Sequence, residues 1–274
     1  MPNICILTDA SAQFTHPNFP GRELVHIIPF KSQNTASQES KPVPGSVLVH
    51  KQMVCPSPQD FIRLYASLSR AYDTILVLTI SSLLSSTLKN ALLALDEYSN
   101  YARVEVIDSQ TTAIGLGMLV QLAASAASKG ASLKEIDRQL RAGIPRIYTL
   151  FCIPELTYLA TSDLMDYSQA LVAEMMGMLP IFTFEEGRLV PMEKVRTPRH
   201  LFEAFQDFMS EFESPSQIVL IRNSVNGHLR TNPFRMFVRD NFPETLFSEH
   251  PLQPHLAALF GPRSIGLVVM ESLE

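Results

Sequence analysis

Short apolar runs and helix-spaced segments alternate through the first half of the chain. Residues 3–8 predict a short buried strand that ends in the polar turn Thr8-Asp9-Ala10-Ser11. Open α/β sheets bind ligands at that end of a strand. A second apolar run, residues 24–30, precedes a polar stretch at 31–52 whose Ser, Gln and Pro content predicts an exposed excursion. Phe61, Leu64, Tyr65 and Leu68 recur at helical spacing within residues 58–71, and residues 73–80 make an apolar strand rich in Ile, Val and Leu. Further on, 85–98 reads as a helix with serines at its start and 104–107 as a strand. Residues 111–129 read as a long apolar helix stopped at Gly130, and 133–142 as an amphipathic helix. Strands alternating with helices at this spacing imply a parallel sheet with helices on both faces.

The pattern changes near residue 150. Residues 148–153 predict a strand, 166–178 a Met-rich helix, and 181–184 with 189–192 a hairpin around Glu185-Glu186-Gly187-Arg188. A helix at 198–212 opens with Pro at its first position, and strands at 217–222 and 264–270 complete an α+β pattern. A length of 274 residues is long for a single core. The expected organisation is an α/β fold with a parallel-sheet domain over 1–150 and an α+β domain over 151–274, with a cleft between them.

Composition narrows the function. Hydrophobic residues make up 46% and charged residues 18%, which suits a folded core and excludes a disordered chain. A net charge of −5 with 22 scattered basic residues excludes a nucleic-acid partner, since phosphate binding needs clustered Lys and Arg. The most apolar long stretch, 113–127, contains Gln121 and Ser125 and is shorter than the roughly 20 residues that cross a bilayer. The chain is therefore not expected to be membrane-integral. Residues 1–9 lack the basic start and cleavage site of a signal peptide, so a cytoplasmic location is expected.

Cys5, Cys55 and Cys152 have no metal spacing and read as reduced, mostly buried thiols. The seven histidines have no ligand spacing either, and His250 and His255 miss the i, i+4 arrangement of one helix face, so no metal is expected. Gly115-Leu116-Gly117 leads to Val120 where a dinucleotide fingerprint needs Gly or Ala, which argues against a nucleotide; no cofactor is expected.

Several separated segments together resemble the DegV family. Ile6-Leu7-Thr8-Asp9-Ala10-Ser11-Ala12 resembles its opening T-D-S-T-A-D, with Ala10 in place of the first Ser. Ile28-Pro29-Phe30 follows, and Pro56-Ser57-Pro58-Gln59-Asp60-Phe61 is similar to Q-P-S-P-E-D-F. The segment from Ile80 through Ser81, Ser82, Leu83, Leu84, Ser85 and Ser86 to Thr87 is similar to I-S-S-G-L-S-G-T with both glycines lost. Val106-Ile107-Asp108-Ser109 with Gly115-Leu116-Gly117 resembles V-I-D-S and its G-x-G helix, Lys194-Val195-Arg196-Thr197 resembles K-x-R-T, and Gly261-Pro262-Arg263-Ser264-Ile265-Gly266 resembles G-P-G-x-x-G. Ordered recurrence of weak motifs across the chain carries the match.

The resemblance implies a protein that binds a long-chain fatty acid, or a similar lipid, in a tunnel between two α/β domains, is not an enzyme, and in some members presents the acid to a fatty acid kinase subunit. It places Ser85 at the acyl head group, with Ser82, Ser86 and Thr87 in the same loop. Hydroxyls and free N–H groups at a helix start suit a carboxylate, and the helix dipole adds to this. By the same resemblance Arg196 is expected to face a partner, the other reading being a side chain in solvent.

Departures from the pattern fall on the head-group site. The family's Thr-Ser pair is Met53-Val54 here, its arginine falls on Leu164, and its histidine on Leu259. Arg263 is a new cation in place of a glycine, and is expected either to supply the counter-charge, since a guanidinium holds a carboxylate bidentately, or to form only a surface ion pair. Other readings stay open at this point. Ser85, Ser86 and Thr87 are also ordinary helix-capping types, Met165, Met175, Met176 and Met178 suit either a tunnel wall or a core stripe, and Asp9 suits a turn. Two further function classes are a scaffold whose pocket has closed around Leu164, Met53 and Leu259, and a serine acyl hydrolase built on Ser85. The hydrolase lacks a G-x-S-x-G elbow.

Overall fold

The computed structural model describes residues 3–34, 51–98, 102–223 and 231–272. The first half contains β1 (Ile4–Asp9), β2 (Val25–Ile28), β3 (Lys31–Asn34), β4 (Lys51–Val54), α1 (Pro58–Leu68), β5 (Thr74–Thr79), α2 (Thr87–Glu97), β6 (Arg103–Asp108), α3 (Ala113–Ser128) and α4 (Leu133–Gly143). Strands β2-β1-β5-β6 form a four-stranded sheet in which every pair is parallel. All six residues of β1 and of β5 are buried, as central strands covered on both faces require.

Local chemistry sets the helix starts. Ser57 and Asp60 form a capping box ahead of α1, with Pro58 at the first helical position, and Phe61, Tyr65 and Leu68 make the buried stripe. Ser132 and Glu135 do the same for α4, which buries Ile136 and Leu140. The α3 helix is apolar on most sides and buried along most of its length, because both of its faces are covered.

The second half contains β7 (Ile147–Cys152), α5 (Thr157–Thr161), α6 (Tyr167–Met175), β8 (Leu179–Glu185), β9 (Arg188–Val195), α7 (Pro198–Met209), β10 (Pro215–Arg222), α8 (Asn232–Asn241), β11 (Leu246–Pro251), α9 (Pro254–Phe260) and β12 (Ile265–Glu271). They build a six-stranded mixed sheet in the order β11-β10-β12-β7-β8-β9, parallel only between β10 and β11, which are joined through α8. The predicted hairpin is β8–β9, closed by Glu186 at φ 48° and Gly187 at φ 83°, the two positive angles of a type I′ turn.

One apolar core runs through both halves. Ile6 and Leu78 of the first sheet, Leu116 and Leu119 of α3, Phe151 and Val268 of the second sheet, and Leu256 and Phe260 of α9 belong to it. Separate clusters cover the outer faces, Phe61, Tyr65 and Ala91 against the first sheet and Phe205, Phe234 and Leu220 against the second.

Several expectations need correction. The helix expected from residue 85 starts at Thr87, and α5, α8, β11 and α9 are elements that the hydrophobic pattern does not predict. The expected excursion after residue 30 begins and ends as the antiparallel pair β3–β4; residues 35–50 lie outside the described residues. Met175 and Met176 do not join the core, being 81% and 59% exposed at the end of α6, whereas Met165 packs on the shared core.

Candidate functional site

The carboxyl ends of β1 and β5 carry the buried polar chemistry of the protein. Asp9, the last residue of β1, is fully buried; its carboxylate accepts from Ser11 N–H at 2.9 Å and Ile80 N–H at 2.7 Å. Burial raises its pKa, while Ser11 and the Ile80 amide oppose that rise. It is thus the turn-forming residue expected, and it ties the end of β1 to the end of β5.

The loop after β5 follows directly. Ser81 donates through Oγ to the Gly187 carbonyl at 2.6 Å. The Ser82 amide points at the Asp108 carboxylate at 3.3 Å, and its residue is exposed. Ser85 Oγ shares a 2.8 Å hydrogen bond with Thr87 Oγ1 and accepts from Thr87 N–H at 3.3 Å, so it steadies the start of α2. Ser86 stands at the N-cap position without a side-chain cap bond, and Thr87 is buried. The Cys55 thiol lies beside Ser85; burial pushes its pKa up and the Ser85 hydroxyl pulls it down. Outside this loop, Ser82, Ser85, Ser86, Leu88, Leu92 and Leu93 border a cleft of about 500 Å³.

A second group arrives from the other half of the chain. His255 on α9 is 8% exposed, its ring 6.2 Å from that of Phe30, and it lies beside the backbone of Ser11. Burial pushes its pKa down to about 4, which leaves the ring neutral. Gln13 Nε2 donates to the Pro251 carbonyl at 2.9 Å, joining the turn after β1 to the end of β11. Gly117 makes this turn possible, because a Cβ there would lie 1.9 Å from the Gln13 carbonyl oxygen. That close approach explains the second glycine of Gly115-Leu116-Gly117 on α3; a Cβ at Gly115 would lie 2.6 Å from Thr111 Oγ1.

Among the described residues, the buried side-chain atoms left without a hydrogen-bond partner are Thr8 Oγ1, Ser11 Oγ, Gln13 Oε1, Thr79 Oγ1, Thr112 Oγ1 and His255 Nε2. The Ser11 hydroxyl lies close enough to favour Asp9 ionisation but is not aligned for a full hydrogen bond. All six belong to the carboxyl ends of β1 and β5, the turn after β1, the start of α3, or the α9 helix that packs on that turn. Gln13 N–H donates to the Ala113 carbonyl, which fixes the turn against the start of α3.

The remaining sequence candidates are placed as follows. Arg263 is exposed and its Nε lies 3.1 Å from a Glu155 carboxylate oxygen, so Glu155 already supplies a counter-ion. Leu164 and Leu259 are partly buried and pack against the shared core. Met53 pairs with Ser32 in the β3–β4 ribbon, and its side chain lies outside the described residues. Arg196 is exposed just beyond β9. Sequence reasoning singled out Asp9 and the serine loop but missed His255, whose only sequence signal is a lone histidine after Pro254. Among the described residues no group of His, Cys, Asp and Glu could hold a metal ion, and no helix is long and apolar enough to cross a membrane.

Comparison with known proteins agrees with this architecture. A family model described as "Uncharacterised protein, DegV family" matches residues 46–272. The DegV domain-containing protein TTE1491 of Caldanaerobacter subterraneus subsp. tengcongensis is 32% identical over 153 residues, covering 56% of this chain and 54% of that protein. The chain thus matches about half the length of that relative. The fatty acid binding DegV family protein SAG1342 from Streptococcus agalactiae has the same fold, with a TM-score of 0.81 at 16% identity over 99% of this chain and 100% of that one. The Fatty Acid Kinase (Fak) B3 protein of Streptococcus pneumoniae, solved with linoleic acid, gives a TM-score of 0.80 at 17% identity over 98% of this chain and 100% of that one. With the family model running through most of its length and the fold shared from end to end, the chain belongs to the DegV family.

Proposed function

We propose that this protein binds a long-chain fatty acid, or a similar acyl lipid, without transforming it, in a tunnel between a domain spanning 1–150 and one spanning 151–274. The observation that carries this reading is the junction of two environments: an apolar core shared by both sheets, and a group of unpartnered buried polar atoms at the carboxyl edge of β1. A long tail and a small polar head match that pair. Burying the tail contributes about 0.8 kcal/mol per methylene before ordering costs, so a long chain is held firmly even by modest head-group contacts. The fatty acids described for the two structural neighbours support the same ligand class.

Catalysis by Ser85 is disfavoured by its surroundings. Its hydroxyl is engaged with Thr87 and stands beside the Cys55 thiol, neither of which is the general base an attacking serine needs. Presentation of the bound acid to a fatty acid kinase subunit belongs to the same proposal, with Arg196 as the partner-facing side chain. A cytoplasmic location fits that role.

Mass spectrometry of lipid extracted from the denatured pure protein, set against an unrelated protein from the same preparation, tests the proposal. A stoichiometric fatty acid is the expected result. No enriched lipid, together with no rise in Tm on adding fatty acids, would overturn it. That outcome would favour the closed-pocket scaffold, which the packing of Leu164 and Leu259 on the core supports.

A further inference from the structure

The α2 helix packs the opposite way round from an ordinary amphipathic helix. The residues it buries are small, Thr87, Ala91 and Ala94, and the two alanines belong to the cluster on the outer face of the first sheet. Leu92 and Leu93 stand 45% and 43% exposed on the other side. Helices of folded proteins usually turn their large apolar side chains towards the core. Together with the serine loop, Lys89 and Asp96, these leucines line the cleft of about 500 Å³. Leucines gathered in an open cleft forgo the burial that drives association, and such a face marks an interaction surface.

The charges on this face select what covers it. Lys89 and Asp96 are exposed and seven residues apart, two helical turns or about 10.5 Å along the axis. At 3.6 residues per turn the two project in nearly the same direction, with Leu92 and Leu93 on either side of the line between them and at its midpoint. Among the described residues neither Lys89 nor Asp96 has a salt-bridge partner. An anionic lipid in the cleft answers Lys89 but leaves Asp96 against its tail. A helix crossing antiparallel, with an acid against Lys89 and a cation against Asp96, answers both, and α2 is itself such a helix. A two-fold axis passing between Leu92 and Leu93 sets Lys89 of each copy against the partner's Asp96 and gathers the four leucines at the axis. Self-complementarity of this kind is what an isologous contact requires.

We propose that this face of α2 is an interface between two copies of the chain, paired antiparallel with Lys89 of each copy against the partner's Asp96. The helix has 11 residues and is about 16 Å long, so the contact falls short of the roughly 800 Å² per partner of a standard interface, and the dimer is reversible. It covers the outer side of the serine loop. Self-association and access of any other partner to that loop therefore exclude one another.

Sedimentation velocity on the full-length protein, from about 10 µM to about 500 µM, tests the proposal in the range where so small a contact associates. The native protein is expected to shift from monomer towards dimer as concentration rises. Lys89→Asp and Asp96→Lys each set like charges against one another twice, and each is expected to weaken the dimer at least about tenfold. The double variant K89D/D96K reverses the sign of both pairs and is expected to associate within about threefold of the native protein. Both side chains are exposed, so an unchanged Tm is expected in all three variants. A native protein that stays monomeric throughout overturns the proposal and leaves the leucine face to a lipid or a different protein. A dimer that both single variants form as well as the native protein places the interface elsewhere. Single variants that weaken it without recovery in the double variant show that Lys89 and Asp96 do not face each other across a two-fold axis.

Discussion

Ser81 Oγ donates a 2.6 Å hydrogen bond to the carbonyl of Gly187, and this bond ties the loop after β5 to the tip of the β8–β9 hairpin. The two residues are 106 positions apart in the chain, and the Ser81 side is fully buried. The same hydroxyl accepts from Leu83 N–H, so it also shapes the serine loop.

Ser81→Ala removes this bond and leaves the Gly187 carbonyl without it. A loss of about 1–3 kcal/mol is expected, read as a lower midpoint in urea unfolding at unchanged slope. Gly187→Ala is expected to be at least as damaging. Its φ is +83°, and a Cβ there would sit 2.7 Å from Ser81 Oγ, so the change strains the turn and displaces the latch. Equal stability of both variants with the native protein would show that the hairpin tip does not hold the loop.

The neutral, buried His255 makes stability depend on pH. Its folded pKa of about 4 lies below its ordinary 6.5, so the unfolded chain takes up a proton in this window while the folded chain does not. Stability therefore falls as pH drops from 6.5 towards 4, by on the order of 3 kcal/mol in full. Asp9 acts in the opposite sense, because its raised pKa gives the folded state the greater proton affinity. Comparing His255→Gln with the native protein between pH 7 and 5 isolates the histidine, and the variant is expected to lose less stability over that interval.

Thiol chemistry is expected to single out Cys55. Cys5 and Cys152 are 0% and 1% exposed, and burial pushes both pKa values up to about 12, which leaves almost no thiolate at neutral pH. Cys55 is half-buried. A thiol reagent should label the folded protein slowly and at Cys55 alone, with Cys5 and Cys152 reacting only after denaturation. Mass mapping of the adduct checks this, and rapid native labelling of Cys152 would contradict it.

Arg263→Ala separates a structural ion pair from a ligand contact. With its guanidinium against Glu155 and its side chain 59% exposed, the change should lower stability by less than about 1 kcal/mol. Lipid affinity is expected to stay within about twofold of the native value, well under one hydrogen bond. A tenfold loss of affinity without a fall in Tm would restore Arg263 as the counter-charge expected from sequence.

Some of the candidate site was legible early and some was not. The turn at Asp9 and the serine loop are local features: a polar cluster at the end of an apolar run marks the carboxyl edge of a strand wherever the chain is read. Ser85 was legible as a helix-start hydroxyl, yet whether it serves α2 or a ligand depends on distances, and the 2.8 Å bond to Thr87 answers for the helix. Met175 and Met176 misled because a Met-rich helical segment has the same composition inside a core and on a surface. The α9 helix is seven residues long and starts at a proline, too short for a periodic signal to mark His255 as special.

What the amino-acid order determined by itself was the set of local preferences. Runs of Ile, Val and Leu made β1 and β5, Ser-x-x-Asp and Ser-x-x-Glu boxes started α1 and α4, and Glu186-Gly187 closed a hairpin. These depend on neighbours within a few residues. The tertiary structure alone decided that the Ser11 turn meets His255 from a helix that begins 243 positions later, that Gln13 rests against Gly117, and that Arg263 faces Glu155. The physical reason is that burial, orphaned hydrogen-bond groups and pKa displacement are properties of surroundings assembled from distant parts of the chain. No window along the sequence contains them.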